Sequence, residues 1–302
     1  MTTTTAPAAL PQLSNAQAPL TRTVEVVNEF GVRSEVSIPA ERDLTVYVDK
    51  RELVTLMTLG AHPEWLVLGY LLNQRLVQSV DEIAAIQVDW DVSAAVVTTR
   101  QGIARIEERT AKKVVTTGCG QGSVFGGLMD EVDRIRLPEG VLRQSQLYAI
   151  VNAIRLKEST YKSAGSVHAC ALFRGDELQL FVEDVGRHNA VDTIAGWLAL
   201  QDPSVGASAA AATTALQPPG LDKVFYTTGR LTSEMVIKSA QMGVAAVVSR
   251  SGITQMGLEV AQRVGLCAVG RATNRHFFCY ANPQRLLLDA VPSAPPTFEK
   301  TT

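Results

Sequence analysis

Cysteine is scarce in this chain. There are four among 302 residues, Cys119, Cys170, Cys267 and Cys279, widely spaced and with no CxxC pair. That spacing excludes the dense disulfide framework of a small secreted domain. An excess of positive charge is also missing. The formal net charge is −2 and the pI about 6.1, which argues against wholesale nucleic-acid binding but leaves room for a local anion pocket. No stretch approaches the ~18 consecutive apolar residues of a membrane span. The start, Met1 to Pro7, lacks the basic and apolar regions of a secretory signal. Neither a Walker A loop nor a GxGxxG fingerprint is present. These absences describe a protein expected to be soluble and cytoplasmic, with no membrane or nucleic-acid partner.

What is present suffices for a substantial core, with 46% hydrophobic and 19% charged residues in a length that suggests about two domains. Residues 1–21 are rich in Thr, Ala, Pro and Gln and read as a disordered tail. Residues 22–115 read as a smaller α+β domain. Strands are expected at Leu44–Val48, Leu53–Leu59, Ile83–Val88, Ala94–Thr99 and Ile103–Glu107. A helix is expected from Glu64 to Val77, with Pro63 in its first turn. Residues 116–137 form a glycine-rich connection. Residues 138–290 form a second, α/β domain, interrupted by a Pro- and Ala-rich insertion at 202–220. Residues 291–302 read as a tail. In the second domain a helical pattern opens at Pro138-Glu139, and strands then alternate with helices. Strands are expected at Ala169–Phe173, Leu178–Val182, Lys223–Tyr226, Ala245–Val248, Leu266–Val269 and Phe277–Tyr280. Helices are expected at Asn189–Leu200, Ser233–Gln241 and Gln255–Val264. The alternation implies a partly parallel sheet covered on both faces.

Three polar clusters fall where strands of this second region end. In Glu183-Asp184-Val185-Gly186-Arg187-His188-Asn189-Ala190-Val191-Asp192, glycine turns the chain and Asn189 or Asp184 caps a helix. Arg187 and His188 then stand at a helix N-terminus, which attracts phosphate. Asp184 and Asp192 could accept hydrogen bonds from a base or ribose, or Asp192 could be a plain helix-surface carboxylate. In Thr227-Thr228-Gly229-Arg230-Leu231-Thr232-Ser233, hydroxyls meet a helix start and Arg230 offers a planar donor fork. The third cluster is Ser249-Arg250-Ser251-Gly252. Ligands of open α/β sheets bind beyond the carboxyl ends of the strands, so three such clusters at one topological position point to a phosphate-containing ligand. His168-Ala169-Cys170 stands in contrast to zinc deaminases, which need H-x-E and a CxxC. Here Cys170 takes the glutamate's place and no metal site is expected.

One loop stands apart: Thr116-Thr117-Gly118-Cys119-Gly120-Gln121-Gly122-Ser123. Glycines flank Cys119 on both sides, so no neighbouring side chain shields the sulfur and the backbone is free to swing. Two readings stand, a thiol handed to another molecule and a β-turn that contains a cysteine.

These residues resemble the FdhD family of formate dehydrogenase accessory sulfurtransferases. The resemblance runs in order over about residues 40–290. It rests on Thr117-Gly118-Cys119-Gly120, Ser166 to Cys170, the EDVGRHNA string from Glu183, Thr228 to Met235, and Phe277-Phe278-Cys279-Tyr280-Ala281-Asn282. It implies a second domain similar to cytidine deaminases without their zinc, and a homodimer. It implies a sulfur carrier that takes sulfur from a cysteine desulfurase as a persulfide on Cys119. The sulfur would pass to the bis-molybdopterin guanine dinucleotide molybdenum cofactor before that cargo enters formate dehydrogenase, with GDP as a partial analogue. Cofactor contacts are implied for Phe277 to Asn282, and are expected at His168, Asp184, Gly186, Arg187, His188, Asn189, Asp192, Gly229, Arg230 and Ser233. Many members carry a second loop cysteine three residues after the first, where this chain has Gly122. A single-thiol mechanism follows. The competing readings are a chaperone that protects the cofactor without moving sulfur, and a zinc-dependent hydrolase.

Overall fold

The computed structural model describes residues 10–103, 132–201 and 221–290. The Cys119 loop, the 202–220 insertion, both chain ends and the expected strand beyond Ile103 lie outside the described residues.

The first region holds strands β1 (Gln12–Leu13), β2 (Thr21–Val27), β3 (Arg33–Pro39), β4 (Arg42–Val48) and β5 (Arg51–Thr58), and helix α1 (Pro63–Asn73). Strands β6 (Ile83–Asp89) and β7 (Ala94–Thr99) complete it. Five of these strands make one sheet in the order β1-β6-β7-β4-β5, while β2 and β3 pair only with each other. Alternate residues of β4, namely Leu44, Val46 and Val48, are buried against Leu66, Val67 and Leu71 of α1, as a half-covered strand requires. Helix α1 stops before the expected Val77 because Arg75 turns to positive φ (56°).

The expected tail is partly built into this sheet. Gln12 and Leu13 pair parallel with Ala85 and Ile86. Ser14 Oγ and Ala16 N then donate to Glu64 Oε1 at 2.6 and 2.7 Å. A carboxylate buried at a helix start needs such donors, and composition alone does not show that Ser14 and Ala16 supply them.

The second region contains β8 (Leu142–Arg143), α2 (Gln144–Leu156), α3 (Thr160–Ala164), β9 (His168–Arg174), β10 (Glu177–Asp184) and α4 (Arg187–Gln201). It continues with β11 (Lys223–Thr227), α5 (Ser233–Gln241), β12 (Ala246–Ser249), α6 (Gln255–Val264), β13 (Cys267–Thr273), β14 (His276–Ala281) and β15 (Leu286–Leu287). The main sheet runs β10-β9-β11-β12-β13-β14. Its centre, β11-β12-β13, is parallel and its flanks are antiparallel. Residues on one face, such as Leu172, Phe225 and Val247, pack with α4, α5 and α6. Their neighbours in sequence, Phe173, Val224 and Val248, pack with Leu147, Ile150 and Val151 of α2. Burial on both faces is why these strands read as continuous apolar runs. The helix expected from Pro138 begins instead at Gln144, because Leu142 and Arg143 pair with Leu286 and Leu287. Helix α4 begins two residues before the expected Asn189.

The two regions meet where α1 crosses α4. A Cβ added to Gly69 would lie 1.7 Å from the Asp192 carbonyl oxygen, and one on Gly196 would lie 2.0 Å from that of Trp65. The helices therefore touch backbone to backbone. No described helix is long and apolar enough to cross a membrane.

Candidate functional site

The three polar clusters are stitched into one corner at the strand ends. Arg250 N donates to the Thr227 carbonyl at 3.0 Å, and Leu231 N to that of Gly252 at 2.9 Å. Ser249 Oγ donates to the Gly229 carbonyl at 2.7 Å. Ala169 N donates to Thr228 Oγ1 at 3.0 Å, which brings the start of β9 alongside. Gly229 is required by its neighbour, since a Cβ there would lie 2.7 Å from Arg187 Cδ. Burial, then the nearby Arg187 and Arg230 guanidinium groups, lowers the pKa of His168, so its imidazole is neutral at neutral pH. His168, Arg187, Gly229 and Arg230 thus share one positive corner, with Arg230 exposed and Arg187 buried.

Other residues of the expected set face inward. Asp184 accepts from Thr58 Oγ1 at 2.5 Å, Asn189 Nδ2 at 2.9 Å, and the Leu59 and Gly186 N–H groups at 3.3 Å. Asn189 Nδ2 also donates to the Met57 carbonyl at 2.6 Å. Both side chains therefore fasten the end of β5 to the β10–α4 corner. Asp192, fully buried, accepts from Asn73 Nδ2 at 2.7 Å and Lys238 Nζ at 2.9 Å. Lys238 also pairs with Glu234 at 3.2 Å, and His188 Nε2 lies 3.3 Å from Glu234. Burial works against the charge on Lys238, but Asp192 and Glu234 together more than offset it and hold the amine above its ordinary value. Ser233 is buried at the first position of α5. This chain of charges joins α1, α4 and α5.

Removing the central cation leaves two carboxylates uncompensated. A Lys238→Met protein is expected to lose about 3–5 kcal/mol of stability, measured by denaturant unfolding. A loss within error would show that water reaches this pair.

A cleft of about 320 Å³ opens on the α2 side of the sheet. Arg155, Lys157 and Lys162 from α2, α3 and their link line it, with Arg250, Tyr161 and Phe181. Lys157 Nζ lies 5.9 Å from the Phe181 ring centroid. Glu183 also lines the cleft, but its oxygens accept the Thr160 and Tyr161 N–H groups at 2.6 and 3.1 Å, fixing the start of α3. Four cations line the cleft against the one carboxylate of Glu183, with Lys162 also paired to Glu158 at 3.3 Å, and the aromatic rings offer flat apolar faces. Such a wall suits an anion that carries a planar ring. None of the residues expected to contact the cofactor lines this cleft. Their neighbours do: Val167 and Ala169 flank His168, and Glu183, Thr228 and Arg250 belong to the same three clusters.

Phe277 to Asn282 lies on and just past the edge strand β14. Phe278 is half exposed and Phe277 packs near Tyr148 at 6.2 Å. Tyr280 packs on Gly270, Ala281 is buried, and Asn282 Nδ2 donates to the Ala261 and Leu266 carbonyls at 2.9 and 2.8 Å. Of this hairpin, only the end of β13, Ala272 and Thr273, and Asn274 in the turn reach the cleft. Cys170 is buried and its thiol is pushed up to about 12, chiefly by burial. Cys267 and Cys279 sulfurs lie 4.0 Å apart. The Cys267 thiol is raised and the Cys279 thiol lowered by their shared hydrogen bond. Among the described residues, no three His, Cys, Asp or Glu side chains gather as metal ligands.

The sequence reading missed the basic run Arg155-Leu156-Lys157 and Lys162, a charge cluster directly after an amphipathic helix. It also missed Lys238, which sits four residues after Glu234 and looks like an ordinary surface pair.

The mixed sheet, the joined strand-end corner and the basic cleft define an α/β protein with a cationic edge where its strands end. Its fold matches, with a TM-score of 0.70, the crystal structure of a putative formate dehydrogenase accessory protein from Desulfotalea psychrophila. That match is 23% identical and covers 89% of this chain and 100% of the other. Residues 39–287 match the FdhD/NarQ family, and the chain belongs to that family. It is 28% identical over 259 residues to the sulfur carrier protein FdhD of Bacillus licheniformis, covering 84% of this chain and 92% of the relative. To the protein of the same name from Bacillus subtilis it is 28% identical over 253 residues, covering 82% and 88%.

Proposed function

We propose that this protein is a cytoplasmic sulfur carrier serving formate dehydrogenase. Cys119 takes sulfane sulfur from a cysteine desulfurase and holds it as a persulfide. The molybdenum cofactor with its two guanine dinucleotide arms is the acceptor and cargo. The observation that carries the reading is the basic, ring-walled cleft beside the three strand-end clusters. Its size falls in the range of small-molecule sites, about 300–1,000 Å³. In it Arg155, Lys157, Lys162 and Arg250 hold phosphate, and Tyr161 and Phe181 flank the base. The second region, with its mixed sheet and α4, α5 and α6 on one face, is the part akin to cytidine deaminases.

In the first half of the reaction the Cys119 thiolate attacks the outer sulfur of the desulfurase persulfide. A new S–S bond forms, the donor S–S bond breaks, and the donor leaves as a thiolate. In the second half the acceptor bonds the outer sulfur at the sulfane level, the Cys119 S–S bond breaks with its electron pair left on Sγ, and Cys119 leaves as a thiolate.

The test is incubation with a cysteine desulfurase and cysteine, then peptide mass spectrometry. A Cys119 peptide heavier by one sulfur atom, and restored by reductant, is expected. An unmodified peptide beside an active desulfurase would overturn sulfur transfer and leave the cofactor-protecting chaperone. A second prediction concerns the cleft. Paired Lys157→Ala and Arg250→Ala substitutions are expected to weaken GDP binding at least about tenfold by calorimetry. Unchanged affinity would remove the cleft from the nucleotide site.

A further inference from the structure

Two thiols stand together at the edge of the main sheet. Cys267 opens β13, and Cys279 lies on β14, which pairs with β13 alone. Both side chains pack on the α2 face, in the cluster that holds Leu142, Val269 and Leu286. Their sulfurs lie 4.0 Å apart. The two residues are not directly opposed. Cys279 pairs with Val269 and Ala281 with Ala268, so Tyr280 is an extra residue in β14. A bulge of this kind bends its strand, and here the sulfurs of a diagonal pair meet across it.

The pair is asymmetric. Cys267 is fully buried, while Cys279 is partly exposed. The Cys267 thiol donating toward Cys279 favours a thiolate on the accessible sulfur. In the neutral pair Cys279 in turn donates to the Ala281 carbonyl at 3.4 Å. Arg285, which holds the Pro138 carbonyl at 2.8 Å, adds a positive field at Cys267. Access and charge thus make one sulfur the attacking group, and contact makes the other its first partner. Cys170 packs on the opposite face of the sheet, which separates it from both.

We propose that Cys267 and Cys279 form a redox-active dithiol that a hydroperoxide oxidises to a β13–β14 disulfide, with Cys279 attacking and Cys267 resolving. The Cys279 thiolate attacks the terminal oxygen of the hydroperoxide. An S–O bond forms and the O–O bond breaks. The displaced oxyanion takes up a proton and leaves as an alcohol, or as water from hydrogen peroxide. Cys279 is then a sulfenic acid, oxidised by two electrons, and the peroxide is reduced by two. The Cys267 sulfur next attacks Cys279 Sγ. An S–S bond forms, the S–O bond breaks, and the Cys267 proton leaves with the hydroxide as water. Oxidation of Cys279 also removes the partner that chiefly raised the Cys267 thiol, so the resolving proton is released more readily. Closure brings the sulfurs from 4.0 Å to a bond of about 2 Å. The edge strand can yield this distance, since the outer side of β14 has no described neighbour. Nothing in this step depends on Cys119 or on the cleft.

The test treats the reduced full-length protein with a small molar excess of hydrogen peroxide, quenches it in denaturant with N-ethylmaleimide, and reads tryptic peptides by mass spectrometry. The peptides Val264–Arg271 and His276–Arg285 are expected to appear joined, and to separate on reduction. Cys119→Ser protein should give the same joined pair, which keeps this result apart from sulfur transfer. In Cys267→Ser protein the joined pair is lost, and Cys279 is expected to stop at the sulfenic acid, where dimedone captures it. In Cys279→Ser protein, Cys267 should remain a free thiol. Recovery of both parent peptides unjoined, with Cys279 alkylated, would overturn the proposal. So would a disulfide from Cys279 to a different cysteine. A sulfenic acid on Cys267 in the Cys279→Ser protein would overturn the assignment of roles.

Discussion

Cells that rely on a Cys119→Ser protein are expected to have no formate dehydrogenase activity, while the variant folds and binds GDP as the parent does. A serine hydroxyl cannot carry sulfane sulfur, because only a thiolate attacks a disulfide-like S–S bond and leaves again from one. Two of the other three cysteines cannot take over. Cys170 is sealed under the sheet with its thiol pushed to about 12, which leaves almost no thiolate at neutral pH. Cys267 is buried and raised as well. Cys279 is the one competitor, half exposed and lowered by its neighbour. The decisive comparison is therefore Cys279→Ser, which is expected to retain activity. If Cys279→Ser is the inactive variant and Cys119→Ser the active one, the carrier thiol belongs on β14.

A Gly196→Ala protein is expected to lose about 4 kcal/mol or more of stability, a size reserved for a few severe mechanisms. The added methyl would sit 2.0 Å from the Trp65 carbonyl oxygen and 2.9 Å from the Gly69 backbone nitrogen. Neither neighbour is the end of a flexible side chain, so α1 and α4 must separate. Separation lengthens the Asn73–Asp192 bond and the contacts that Asp184 and Asn189 make with β5. Against a typical total of about 5–15 kcal/mol, the variant is expected to melt far below the parent by calorimetry. A change of less than about 1 kcal/mol would mean that the helices slide past each other at little cost.

The elements that rest on local pattern were legible in the sequence. Ser233–Gln241 and Gln255–Val264 form as expected, the latter with Thr254 capping it and Gly265 ending it at a φ of 74°. Apart from β1, the strands of both sheets start within two residues of their apolar runs, although β13 runs four residues past the expected Val269. Apart from the β2–β3 hairpin, a local pairing that was not expected, what was not legible depends on partners distant in the chain. Leu142 is drawn from a helix into a strand by Leu286, and Gln12 by Ala85. The candidate site divides along the same line. The glycines and arginines of the strand-end turns announced the positive corner. The same motifs also contain Asp184, His188, Asn189 and Asp192, whose polarity suggested ligand contact. Their partners Thr58, Asn73 and Lys238 lie 126, 119 and 46 residues away from the aspartates they bind. Only the folded chain shows that these polar groups answer one another.

The glycine crossing has a consequence for how the molecule comes apart. Helices that meet without intervening side chains, and that share buried charges, have little means of opening like a hinge. The two sheets are therefore coupled into a single cooperative foldon, although sequence composition divides them near residue 115. A fragment cut at that point would expose the bare Gly69 face of α1 and strand Lys238 beside an emptied seam. Motion within the described regions is thus confined to segments outside this seam.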